Sequence, residues 1–136
     1  MTIKVLAIDD DPAMTELLNL LLAAHGFNVK TANTGEEGVK LIREYAPEVV
    51  ILDLMMPGMN GWQVCSEVRR FSSVPILILS ALDNPGHVAS ALDAGADDYL
   101  VKPVPSGVLV AHINNLTKRT GINTNGILPQ ALATST

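Results

Sequence analysis

Four stretches of the chain end an apolar run on a residue able to do chemistry. VLAIDDDPAM sets Asp9, Asp10 and Asp11 after Val5–Ile8, and VVILDLMMPGMNG sets Asp53 after Val49–Leu52. PILILSA reaches Ser80, and DYLVKP reaches Lys102 and then Pro103. If these groups converge, they make three or four carboxylates, one hydroxyl and one ammonium, with no His or Cys among them. Clustered carboxylates repel, and one takes up a proton unless a cation is present. Oxygen donors at this density suit a hard ion such as Mg2+ or Mn2+. An Asp carboxylate can act as a nucleophile towards phosphorus and form an aspartyl-phosphate. A metal and a lysine would then neutralise charge on the phosphoryl oxygens, and the Ser80 hydroxyl would donate to another of them.

Taken singly, each residue has a plainer role. Asp9–Asp11 before Pro12 suits a helix cap with surface charge. Asp53 suits a turn ahead of Pro57-Gly58, Ser80 a local cap, Lys102 a solvated side chain and Tyr99 a core residue. Cys65 falls in a helix stripe and is structural. His25, His87 and His112 have no metal-ligand spacing and are assigned no chemistry. Met55, Met56 and Met59 suit turn and core filler, and Trp62 suits packing. The joint pattern outweighs these single roles because the candidate groups fall at strand ends of one deduced sheet.

That sheet comes from the hydrophobic pattern. Strands are predicted over Lys4–Asp9, Asn28–Ala32, Glu48–Asp53, Pro75–Ser80 and Asp98–Lys102. The first, third and fourth are continuous apolar runs, as strands buried on both faces are. Helical spacing separates them: Leu17, Leu18, Leu21 and Leu22; then Val39 and Ile42, diluted by Gly35 and Gly38; then Val64, Cys65 and Val68; then Val88, Ala91 and Leu92; then Leu109, Ile113 and Leu116. Asp11-Pro12 starts the first helix and His25-Gly26 ends it. Five βα units in a row predict a doubly wound parallel sheet with helices on both faces. Ligands of such sheets bind beyond the carboxyl ends of the strands, where the candidate residues lie.

The bounds agree. A chain of 136 residues suits one domain. With 48% hydrophobic residues and a mean hydropathy of +0.29, it is not disordered by composition. No apolar run is long enough to cross a bilayer, and MTIKVLAIDD is not a secretory signal. One cysteine allows no internal disulfide. These features predict a soluble, cytoplasmic protein with no membrane contact. The formal charge of -5 argues against direct nucleic-acid binding by this chain. After Arg119 the text turns to TGINTNGILPQALATST, uncharged and rich in Thr, Asn and Gly. We place the domain at residues 1–120 and a flexible tail or truncated linker at 121–136, with a short apolar patch at Ile127-Leu128.

The motifs VLAIDDDPAM, VVILDLMMPGMNGWQV, PILILSA and AGADDYLVKP, in that order, resemble the receiver domain of two-component response regulators, over about Ile3 to Arg119. The resemblance implies a flavodoxin-like, five-stranded sheet of order 2-1-3-4-5 with five helices. It implies that Asp53 is the phosphoacceptor for a sensor histidine kinase or phosphotransfer protein. Asp10 would bind Mg2+ directly, Asp9 largely through water, and Asp53 and the backbone carbonyl of Met55 would be further ligands. Ser80 and Lys102 would bind the phosphoryl group, Tyr99 would turn inward when Ser80 moves, and Pro103 would follow a cis peptide bond. The chain would then be a signalling switch rather than an enzyme, taking part in its own phosphorylation and slow autodephosphorylation.

Two departures concern output. LDNPGHV puts Pro85-Gly86 at the start of helix four, whose first turn is expected to be loose. Val104 to Leu116 has no Lys, Arg, Asp or Glu, and His112 stands where relatives often carry arginine. A homodimer or effector contact through the face of helix four, strand five and helix five would then be apolar rather than salt-bridged. The alternative is a Mg2+-dependent aspartyl-phosphate phosphohydrolase, but Asp53-Leu54-Met55 lacks the second acid such enzymes use. A flavin or nucleotide carrier lacks its phosphate-cradling glycine loop here.

Overall fold

The computed structural model describes residues 2–125, with side chains up to Lys118. The elements in order are β1 (Lys4–Ile8), α1 (Pro12–Ala24), β2 (Asn28–Ala32), α2 (Gly35–Tyr45), β3 (Val49–Leu52), α3 (Gly61–Arg69), β4 (Ile76–Ser80), α4 (Pro85–Ala94), β5 (Asp98–Val101) and α5 (Ser106–Asn125). The strands form one parallel sheet of order β2-β1-β3-β4-β5. The fold is the doubly wound, flavodoxin-like one that the motifs implied.

Strand alternation divides the apolar residues between two cores. Leu6, Ile8, Val50, Leu52, Ile76 and Ile78 pack against Ile42 of α2, Val64 and Val68 of α3 and Ala91 of α4. Val5, Ala7, Val49, Ile51, Leu77 and Leu79 pack against Leu18 and Leu22 of α1 and Leu109, Ile113 and Leu116 of α5. Each large side chain fully buried this way contributes roughly 1.5–3 kcal/mol. The central strands β1, β3 and β4 are therefore apolar apart from Lys4 and Ser80 at their ends, whereas the edge strands β2 and β5 are only partly covered.

The glycines that dilute the second helical pattern have a packing reason. A Cβ at Gly38 would stand 3.0 Å from Ile8 Cγ1, so glycine lets α2 lie close on β1. The first turn of α4, expected to be loose, is capped instead. Asn84 Oδ1 accepts from Gly86 N at 2.7 Å, and the Asn84 carbonyl accepts from His87 N and Val88 N. Proline at the first position of α4 needs no donor there, so it fits the cap. Helix α5 runs to Asn125, five residues beyond the boundary placed at 120. Ile127 and Leu128 lie outside the described residues. No helix among the described residues is long and apolar enough to cross a membrane.

Candidate functional site

The parallel ladder brings the ends of β1, β3, β4 and β5 to one edge. Ile8 stands opposite Leu52, and Asp53 N donates to Ile8 O at 3.0 Å, so Asp9 and Asp53 follow side by side. Ser80 stands opposite Val101, and Lys102 N donates to Ser80 O at 2.9 Å. The peptide bond between Lys102 and Pro103 is cis. The structure thus gathers Asp9, Asp10, Asp53, Ser80 and Lys102 around one pocket.

Carboxylate oxygens of Asp9, Asp10 and Asp53 lie within 4.8 Å of one another. Asp9 and Asp53 are buried, at 4% and 8% exposure, while Asp10 faces solvent. Lys102 Nζ donates to Asp9 Oδ2 at 2.8 Å, and Asp11 N donates to Asp9 Oδ1 at 3.0 Å. Asp53 accepts from Leu54 N at 2.8 Å. Burial raises the Asp53 pKa above the ordinary carboxylate range, and the nearby Asp9 carboxylate adds to the rise. Lys102 and hydrogen bonds from Leu54 N and Ser80 offset part of it. A hard divalent cation fits this donor set, since it would replace a proton as the counter-charge for three close oxygens.

The loop after Asp53 is shaped by close approach. Gly58 has φ +73, in the region that favours glycine. Gly61 is needed for room: a Cβ there would lie 2.7 Å from Leu54 Cα. A capping box between Asn60 and Gln63, both bonds 2.9 Å, then starts α3. The Met55 side chain projects into solvent, whereas Met56 is buried. Met55 is therefore not core filler.

Ser80 and Tyr99 meet at one residue. Leu82 N donates to Ser80 Oγ at 3.3 Å, and Tyr99 Oη donates to Leu82 O at 2.7 Å. Burial raises the Tyr99 pKa, so its hydroxyl stays a donor at neutral pH. The Cys65 thiol is buried, which pushes its pKa up to about 11 and leaves it an inert core residue.

Three partnerships were not evident in the sequence. Lys102 is paired with Asp9. His112, given no chemistry, bonds Asp98 through Nδ1 at 2.6 Å. Asn33, after β2, donates to Asp9 O at 2.8 Å and to Thr15 Oγ1 at 3.0 Å. A lone Asn after a strand and a His in an uncharged stretch of helix carry no motif, so spacing along the chain could not find them.

A doubly wound parallel sheet with an acid pocket, a hydroxyl and a lysine at its carboxyl edge defines a flavodoxin-like module of the chemotaxis-regulator type. The family model for the response regulator receiver domain matches residues 5–114. The transcriptional regulatory protein AfsQ1 of Streptomyces coelicolor is 44% identical over 116 residues, covering 85% of this chain and 52% of that protein. The chain spans about half the length of the curated relatives it matches. A response regulator from Chloroflexus aurantiacus superposes with a TM-score of 0.82 at 33% identity, covering 87% of this chain and 99% of that one. The beryllofluoride-activated N-terminal receiver domain of Klebsiella pneumoniae RstA gives 0.81 at 31% identity, covering 84% and 97%. The chain belongs to the response regulator receiver domain family, the signal-transduction module of two-component systems.

Proposed function

We propose that this receiver domain accepts a phosphoryl group on Asp53, in a Mg2+-dependent reaction, from a phosphohistidine of a sensor kinase or phosphotransfer protein. The observation that carries the reading is the set of three carboxylate oxygens within 4.8 Å, with Lys102 bonded to one of their groups. A bound Mg2+ would neutralise charge on the phosphoryl oxygens as transfer proceeds. One Asp53 carboxylate oxygen attacks phosphorus, the O–P bond forms and the donor's N–P bond breaks. The imidazole keeps the electron pair and takes a proton from solvent. Leu54 N orients the nucleophile, and Lys102 exchanges Asp9 for a phosphoryl oxygen. Asp10 would hold the ion directly, Asp9 largely through water, and Asp53 and the Met55 carbonyl would complete the set.

Ser80 then moves to the phosphoryl group and loosens its hold on Leu82 N. Leu82 O is the acceptor for Tyr99, so the same shift frees the ring to turn inward. The added charge of about two units is enough to bias such a two-state loop. The donor must reach the site past a groove lined by Met14, the exposed Leu17 of α1, Lys102, Pro103 and Val104. Output passes through the α4–β5–α5 face to a second copy or an effector. The domain works in the cytoplasm, where such kinases deliver the phosphoryl group.

Incubation with acetyl phosphate and Mg2+ tests the reading by mass spectrometry. The wild type should gain one phosphoryl mass and Asp53→Asn none. A variant that gains it at the wild-type rate refutes Asp53. Rapid phosphodonor turnover without retained mass favours the phosphohydrolase, which the exposed Met55 at the second-acid position disfavours.

A further inference from the structure

The Asp9 backbone carbonyl accepts from a side chain that has no part in the chemistry above. Asn33 Nδ2 donates to Asp9 O at 2.8 Å and to Thr15 Oγ1 at 3.0 Å. A backbone carbonyl can only accept, so the amide must present its NH2 to Asp9, and its orientation is settled. Thr15 is buried, and its hydroxyl proton goes to Pro12 O at 3.1 Å, which leaves the oxygen free to accept from Asn33. Asn33 is itself held from behind: its backbone N donates to Glu37 Oε1 at 3.1 Å, and Glu37 N donates to Thr34 Oγ1 at 3.1 Å. The amide is therefore a fixed strut between β2, the start of α1 and the end of β1.

We infer that Asn33 is a positioning residue for the metal site, acting on Asp10 through the peptide that Asp9 and Asp10 share. This rests on the metal reading proposed above. The Asp9 carbonyl and the Asp10 N–H belong to one planar unit. Fixing the carbonyl fixes the plane, and with it the direction in which Asp10 leaves the strand. Asp10 needs that help because it is exposed, whereas the Asp9 carboxylate is already held by Asp11 N and Lys102. Asn33 thus pre-orients the exposed carboxylate without touching the ion.

Binding of Mn2+ alone, followed by its electron paramagnetic resonance signal, separates this role from a purely structural one. Asn33→Ala should weaken Mn2+ binding roughly tenfold, at the low end of the effect for partners outside the ligand set. Phosphorylation at saturating metal should change less than about twofold, since the nucleophile and lysine are untouched. Asn33→Ser, too short to span the gap but able to satisfy the turn, should match Asn33→Ala even if the alanine variant folds poorly. Unchanged Mn2+ affinity in a folded Asn33→Ser variant overturns the inference while leaving the metal site standing. Failure of the wild type to bind Mn2+ saturably overturns the metal reading, and the inference with it.

Discussion

The acid pocket and the face proposed for output are built to different standards of constraint. At the pocket, Asp9 is held at four atoms: its N by Ala32 O, its O by Asn33, and its two carboxylate oxygens by Asp11 N and Lys102. On the α4–β5–α5 face, Leu92, Val101 and Val108 contribute one exposed apolar side chain from each element. Beside them the His112–Asp98 pair is partly open to water. A site for phosphoryl transfer needs oxygens fixed to fractions of an ångström before the donor arrives. An output face needs room to rearrange and a surface that only some partners match. Pocket substitutions should therefore have large effects on chemistry, and face substitutions small effects on anything but association.

The largest contrast should come from the metal. Asp10→Ala is expected to weaken Mg2+ binding by about two orders of magnitude and Asp9→Ala by about one, because a direct hard-oxygen ligand is lost in the first case only. Titration followed by Trp62 fluorescence distinguishes them, and equal losses would remove the ranking.

Two glycines give the next largest effect, with opposite signs. Gly61→Ala forces a Cβ against the β3–α3 backbone and should cost about 2 kcal/mol, within the usual range for overpacking. Gly107→Ala, in α5 where a Cβ would meet nothing within 4 Å, should add ~0.5–1 kcal/mol from helix propensity. Denaturant titration of both variants checks the pair. A tolerated Gly61→Ala would show that the pocket loop is looser than its geometry requires.

Asp53 supplies a pH test. Its pKa is raised by burial, so the stability it allows is fully present below the ordinary value of 3.8 and is lost as pH rises through the raised one. In chelator at neutral pH, Asp53→Asn should melt above the wild type, by roughly 3–5 °C per kcal/mol relieved. The gap should close in acid. A gap that widens as pH falls would reverse the sign and remove burial as the dominant effect.

The smallest expected response is that of the output face to salt. With a beryllofluoride mimic in place, sedimentation velocity should detect association whose affinity changes less than about threefold between low and high salt, since apolar contact is not screened. Val108→Asp should abolish it. Association that collapses with salt would transfer the contact to charged groups such as Asp97 and Asp98.

Much of this architecture was already evident in the order of residue types. Apolar runs of strand length, spaced by helical stripes, define a doubly wound sheet because covered strands exclude polar residues on both faces. The carboxyl-edge rule then puts Asp9, Asp10, Asp53, Ser80 and Lys102 together without coordinates. What the chain order left open depends on distance through space. Residue 33 meets residue 9 across the β1–β2 junction, Lys102 meets Asp9 across the sheet, and His112 meets Asp98 across the β5–α5 contact. The reason for Gly61 lies in its approach to Leu54, and the tight first turn of α4 in a cap that Pro85-Gly86 alone does not announce. Hydrophobic patterning is repetitive and local, so it survives as a signal along the chain. A single polar partner is neither, and only the packed fold selects which of several Asn, His or Lys residues makes the bond.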